Sequence, residues 1–294
     1  MNSGLRTTAE ELAAAHRAAV RRFSAAGVRT GVFEAGSPDA PAVVCMHGVP
    51  TSSFLYRKVI PELAARGLRG VSFDLPGLGV ADRPADFEYT WTGLGAFAAA
   101  AVNALDLDRF HLVVHDVGGP VGFELAARMP ARVLSLTVLD TLVAVESFRR
   151  PWVMEPFAHR VTGRLWLGSM RPRMFVALMR RLGIEDQSKV TDAELAAHLN
   201  LLLAGDGGRA FLAIMRGFER TAGKEALYRT VIGDQRRPRQ VIWGAKDPAL
   251  KMRPLGEIAA RAAGVPLQAL RARHFPQEDK AEAIAEAVAR LAFG

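Results

Sequence analysis

Three polar side chains of this 294-residue chain stand where apolar runs stop. Asp116 closes "FHLVVHD", Asp247 follows "VIWGAK", and His274 follows "LRAR". Two carboxylates and an imidazole in that order can carry out covalent hydrolysis. The first carboxylate displaces a leaving group from carbon and becomes an ester. The imidazole then activates water as a general base, and the second carboxylate holds its tautomer and steadies its charged form. The turn Val114-His115-Asp116-Val117-Gly118, with Gly119 next, suits the first role, because glycine lets backbones approach closely. Taken alone, Asp116 reads equally well as the cap of the following helix. Its company at two other strand ends favours the nucleophile.

The elements that must position these groups are legible from pattern. After an N-terminal amphipathic stretch, read as an exposed helix, "GVRTGVFEAG" alternates like a β-hairpin. "AVVCMHG" is a short continuous apolar run, as in a strand buried on both faces. Helical and strand-like runs then alternate: "LYRKVIPELAARG", "GVSFDLPGLG", "LGAFAAAAVNALDL", "FHLVVHD", "PVGFELAARMP", "VLSLTVLD". Such alternation calls for a mostly parallel sheet with helices on both faces. Between residues 141 and 237 only helical segments occur, and "RQVIWGAKD" then resumes the strand rhythm. The expected organisation is an α/β core of residues 1–140 and 238–294 with a helical lid of residues 141–237. The lid would cover the carboxyl edge of the sheet, where open α/β sheets bind ligands.

Composition narrows the partners. Half the residues are apolar and 23% are charged, which is globular. No run approaches the roughly 18–20 uncharged apolar residues of a membrane span. The N-terminus lacks a signal peptide's order of segments, so a cytoplasmic protein is expected. The single cysteine, Cys45, reads as a small core residue. The net charge of +8 comes from 32 Arg and 6 Lys against 30 acids. No basic patch interleaved with stacking aromatics accompanies it, so no nucleic-acid partner is expected. Residues 141–185 are locally more basic, with eight Arg against three Glu, which favours either a solvated surface or an acidic ligand.

Four blocks then carry a resemblance: "HGVPTSSFLYRKVIP" (47–61), "FDLPGLG" (73–79), "VVHDVGGPVGF" (113–123) and "HFPQED" (274–279). In order and spacing they resemble the haloalkane dehalogenases of the α/β-hydrolase superfamily, and more distantly its epoxide hydrolases. Nucleophile, acid, histidine is also the triad order of that fold. There is no Gly-x-Ser-x-Gly, so a serine esterase has no nucleophile here. The resemblance implies Asp116 as nucleophile, His274 as base, and the backbone N–H groups of Val49 and Val117 as an oxyanion hole. It implies Asp247 as partner of His274, since "WGAKDP" matches one family arrangement. Asp140, at the end of "VLSLTVLD", is the partner in the other arrangement, and otherwise a pocket-wall residue bonded to the start of the lid. No cofactor and no metal are implied.

The chain also departs from those families. The dehalogenases commonly cradle the departing halide with side-chain N–H donors beside the nucleophile and after the front-loop "HG". Here those positions are Val117 and Val49, which donate nothing from their side chains. Epoxide hydrolases protonate with lid tyrosines, yet Tyr56, Tyr89 and Tyr228 all lie outside residues 141–227. The lid offers Trp152, His159, Trp166 and His198, and Trp152 is the favoured pocket donor. His47 and His115 read as structural hydrogen-bonders. The leading expectation is a haloalkane dehalogenase-like hydrolase of a small, mostly apolar substrate. The alternatives are an epoxide hydrolase with a different lid donor, separated by diol formation, and a binding protein with little turnover.

Overall fold

In the computed structural model, which describes residues 2–294 with side-chain surroundings from Thr8 onward, helix α1 (Asn2–Ala19) precedes a hairpin. Strands β1 (Arg21–Ala25) and β2 (Val28–Ala35) pair antiparallel across Ala26 and Gly27. Those two residues have φ of 47° and 77°, the left-handed pair that a two-residue hairpin turn requires. The chain continues through β3 (Ala42–Met46), α2 (Val59–Ala64), β4 (Arg69–Phe73), α3 (Trp91–Ala104) and β5 (Phe110–Asp116). It then forms α4 (Gly118–Arg128) and β6 (Val133–Thr141). The sheet has eight strands in the order β1-β2-β4-β3-β5-β6, followed by β7 (Arg239–Gly244) and β8 (Leu267–Leu270). From β4 to β8 every pairing is parallel, and β2 meets β4 antiparallel.

Local sequence explains the central strands. All of β3 and the first six residues of β5 are buried, so both faces of the middle sheet are covered. The edge strand β8 is short and half exposed, a common way to blunt an unpaired edge. Helix α3 starts where Thr90 Oγ1 accepts from Gly93 N at 3.1 Å. Fully buried Phe73, Phe97, Phe110, Phe123 and Trp243 fill the spaces between sheet and helices.

Between β6 and β7 lie only helices: α5 (Arg160–Ser169), α6 (Pro172–Gly183), α7 (Asp192–Leu203), α8 (Arg209–Arg216) and α9 (Ala222–Ile232). Helix α7 opens with a capping box, Thr191 and Glu194 each bonding the other's backbone N–H. After β7 come α10 (Glu257–Ala263), β8, α11 (Pro276–Asp279) and α12 (Ala281–Phe293). Among the described residues no helix is long and apolar enough to cross a membrane.

One sequence expectation needs revision. Helix α1 is amphipathic but not simply exposed, because it packs against α7 of the insertion. Ala9, Ala13 and His16 are buried, and Ala13 clusters with Phe54, Ala197 and Leu201. His16 Nε2 lies 2.9 Å from Ser53 Oγ, which ties the helix to the core. Small residues, Ala13 of α1 and Ala197 of α7, lie in this contact.

Candidate active site

Four polar residues meet at the carboxyl edge of the sheet because each follows a parallel strand. Asp116 is the last residue of β5, Asp140 lies near the end of β6, Asp247 follows β7, and His274 follows β8. The turn at Asp116 is tight, with φ of +51° at a non-glycine residue. Strain of that kind needs surroundings that fix it. Thr141 Oγ1 donates to the Asp116 carbonyl. A Cβ on Gly119 would lie 1.7 Å from Thr141 Oγ1, so only glycine fits the strand-to-helix crossing there.

His274 stands between two carboxylates. Its Nδ1 is 2.8 Å from Asp247 Oδ2, and its Nε2 is 3.4 Å from Asp116 Oδ2. Asp247 is itself fixed, since Oδ1 accepts from the backbone N–H groups of Ala249 and Leu250 at 2.7 and 2.9 Å. Burial opposes charge on His274, but Asp247 and Asp116 outweigh it and hold the imidazole well above its ordinary pKa of 6.5. Burial likewise opposes charge on Asp116, yet His274 and the Val117 N–H keep its carboxyl below the ordinary value. Each group thus favours the charged form of the other, carboxylate and imidazolium. Val49 N donates to Asp116 Oδ1 at 2.8 Å, so the two backbone donors expected from sequence both address the aspartate's own carboxyl group. Asp116 does not occupy the cap position of α4, which falls on Val117, and its carboxylate meets Val49 N and His274 instead.

Asp140 departs from expectation. It is fully buried, it is not on the wall of the cavity beside Asp116, and its Oδ1 accepts from Gly244 N on β7 at 2.8 Å rather than from the insertion. Burial and the neighbouring charge of Asp247 push its pKa well above the ordinary carboxylate value. The reason is depth: β6 carries it behind the triad, where no solvent stabilises a second negative charge.

A cavity of about 420 Å³ opens above Asp116 and His274 and is roofed by the insertion. Its walls are mostly apolar, including Leu142, Phe148, Phe157, Phe175 and Met179. Trp152 borders it but is 82% exposed, which places the indole at the rim and not beside the nucleophile. The other candidates of the insertion are engaged elsewhere. Trp166 Nε1 donates to Val153 O, His159 is exposed near Glu155, and His198 Nε2 pairs with Glu278 at 2.8 Å. None of Tyr56, Tyr89 and Tyr228 lines the cavity. His47 and His115 are structural: His47 Nε2 accepts from Leu75 N, and His115 Nε2 donates to the His274 carbonyl at 2.7 Å. Cys45 is a buried core residue whose thiol burial pushes upward in pKa.

Sequence reasoning did not single out Arg150, which lines the same cavity with its side chain 6% exposed. The available signal was the excess of arginine in residues 141–185. It could not distinguish one inward guanidinium from its solvated neighbours.

Comparison with known proteins adds to this geometry. A model of the alpha/beta hydrolase fold matches residues 41–178. The chain is 28% identical over 284 residues to a haloalkane dehalogenase of Mycobacterium marinum, covering 94% of this chain and 92% of the relative. It is 29% identical over 256 residues to haloalkane dehalogenase 1 of Mycobacterium tuberculosis, covering 84% and 82%. Among solved structures, the haloalkane dehalogenase DbeA from Bradyrhizobium elkani superposes with a TM-score of 0.78. That likeness spans 94% of this chain and 97% of the other at 22% identity, and it is a likeness of fold.

Proposed function

From the premise that this chain is a haloalkane dehalogenase-like α/β hydrolase, we propose that it cleaves carbon–halogen bonds with Asp116 as nucleophile and the helical insertion as a lid. The observation that carries this reading is the alignment of Asp116, His274 and Asp247 at the floor of a largely apolar cavity. Asp116 Oδ1 is held by Val49 N, which leaves Oδ2 to attack. In the first step Oδ2 bonds to the substrate carbon and the carbon–halogen bond breaks, releasing halide and leaving an alkyl ester on Asp116.

Ester formation itself supplies the base. Asp116 is one of the two charges that keep His274 protonated, and esterification removes it. The imidazole pKa then falls, its Nε2 proton passes to solvent with the departing halide, and Nε2 becomes free to accept a proton from water. The imidazolium is restored at the end of the cycle by the proton of the regenerated Asp116 carboxyl. Hydroxide adds to Cγ of Asp116, and the oxyanion on Oδ1 is met by the Val49 and Val117 N–H groups. Preorganised donors of this type are each worth roughly 3–4 kcal/mol of barrier. Collapse of the adduct expels the alcohol, which takes its proton from His274, and Asp116 is regenerated. Asp247 holds the tautomer throughout and stabilises the imidazolium.

Apolar walls suit the carbon skeleton of such a substrate, and they exclude bulk water from the ester until one molecule is positioned. The test is bromide and chloride release from a panel of haloalkanes, run with the wild type and with Asp116→Asn. Multiple-turnover halide release that the substitution abolishes supports the reading. Halide release that survives Asp116→Asn overturns it.

A further inference from the structure

We propose that Arg150 forms an anion-receiving subsite in the active-site cavity, which selects substrates carrying a carboxylate at the end remote from the reacting carbon. The inference rests on the reading of that cavity as the site of Asp116 chemistry.

Besides His274, which is paired with Asp116 and Asp247, two arginines line the cavity, Arg150 and Arg181. Arg181 is exposed and reaches solvent. Arg150 is 94% removed from solvent by its neighbours, yet it has one close hydrogen bond, from Nη2 to the Met215 carbonyl at 2.8 Å. Its guanidinium lies 4.5 Å from the centre of the Phe218 ring, so one face is covered by an aromatic group. Nε is buried with no partner. The nearest carboxylate, Glu155, is 3.9 Å from Nη1, beyond hydrogen-bond distance, is itself half exposed, and also lies 3.7 Å from His159.

Other buried arginines of the chain, although Arg83 and Arg237 also have an Nε without a hydrogen-bond partner, each have a closer carboxylate. Arg57 is bonded to Glu278 and Glu194 at 2.7 and 2.8 Å, Arg83 lies 3.4 Å from Asp206, and Arg237 bonds Asp234 at 2.7 Å. A buried guanidinium without a tight counter-ion is destabilising unless something completes it. Arg220 adds a second positive charge nearby, and together with burial it depresses the pKa of Arg150. An anion at this wall relieves both. One of the two bidentate edges of a guanidinium includes Nε, the donor left without a partner here, and that edge matches the two oxygens of a carboxylate. The stacking of the group on Phe218 fixes its orientation. Most of the other residues lining the cavity that Arg150 shares with Asp116 are apolar and suit a hydrocarbon segment.

Binding and turnover test this separately. Hexanoate and its neutral analogue hexanamide are titrated into the wild type by calorimetry. Hexanoate is expected to bind roughly tenfold or more tightly. Bromide release is then compared between 6-bromohexanoate and 1-bromohexane. In Arg150→Met the ratio of their kcat/KM values is expected to fall about tenfold or more, chiefly through KM for the acid. Arg150→Lys, which keeps charge but not the planar fork, recovers part of that ratio. Equal binding of hexanoate and hexanamide by the wild type overturns the subsite, even if Arg150→Met does not fold. A substitution that slows bromide release equally from both substrates, with hexanoate binding unchanged, assigns Arg150 to the departing halide and also overturns it. Selective hexanoate binding without any halide release leaves the subsite standing and removes the dehalogenase reading instead.

Discussion

His274 Nε2 lies 3.4 Å from Asp116 Oδ2, on the opposite side of the ring from its 2.8 Å contact with Asp247. In the proposed mechanism the imidazole thus connects the group that would be alkylated with a group that would not react. The first contact is lost when Asp116 becomes an ester, and the second persists. This asymmetry separates the two halves of the reaction and gives each half its own mutational signature.

Replacing His274 with Gln removes the base but not the nucleophile. Halide release is expected to stop after one equivalent per active site, with the alkyl group retained on Asp116. Quench-flow halide measurement with intact mass checks this. Continued release beyond one equivalent contradicts the assigned role of His274.

Asp247→Asn is expected to lower kcat by roughly 10³–10⁴-fold, since an amide no longer selects the productive tautomer. Asp140→Asn is expected to stay within about tenfold of the wild type, because Asp140 bonds Gly244 N rather than His274, burial disfavours its charge, and an amide matches its shape. Steady-state kinetics of the two variants decides between the carboxylates. A reversed order transfers the partner's role to Asp140.

Stability should fall in two stages as acidification proceeds below pH 6.5. Burial lowers His16 and His115 from 6.5 to about 4 in the folded state. Such a group is neutral when folded and takes up a proton when unfolded. Its contribution is complete above pH 6.5 and is lost as pH falls towards 4, each histidine being worth on the order of 1–3 kcal/mol. Glu194 is held at about 2 although burial opposes its charge, through the Thr191 N–H, Arg57 and Lys58. Its contribution is complete above pH 4.5 and is lost as pH falls towards 2. As pH falls from 8 towards 6.5, His274, whose pKa is raised in the folded state, adds stability; melting temperature is then expected to decline below 6.5, where the buried neutral histidines dominate, and to drop more steeply below 4.5. In His16→Gln the upper decline should be shallower. A melting temperature constant down to pH 4.5 contradicts the burial of neutral histidines.

Much of the core was legible because a parallel sheet writes itself locally. The apolar run "FHLVVHD" ends on Asp116, which faces the cavity, while Asp247 and His274 lie in the loops three and four residues beyond the ends of β7 and β8. What sequence did not disclose depends on contacts between distant segments. The buried cluster in which Arg57 meets Glu278, 221 residues away, and Glu194 of α7 leaves no local pattern. The docking of α1 on α7 is equally long-range, and its alanines read as helix formers before they read as an interface. Asp140 and Asp247 are indistinguishable as strand-end carboxylates until depth behind His274 separates them. Arg150 differs from its neighbour Arg149 only in which way the chain turns as it enters the insertion.

The central claim is that Asp116 bonds covalently to substrate and that water attacks the aspartate's own carboxyl carbon. The direct measurement is a single turnover of 1-bromohexane in ¹⁸O-labelled water with enzyme in excess, followed by mass analysis of the alcohol and of the peptide containing Asp116. The account predicts unlabelled hexanol and one ¹⁸O atom gained by Asp116. Labelled hexanol beside an unlabelled Asp116 peptide would show that water attacks the substrate directly, and would contradict it.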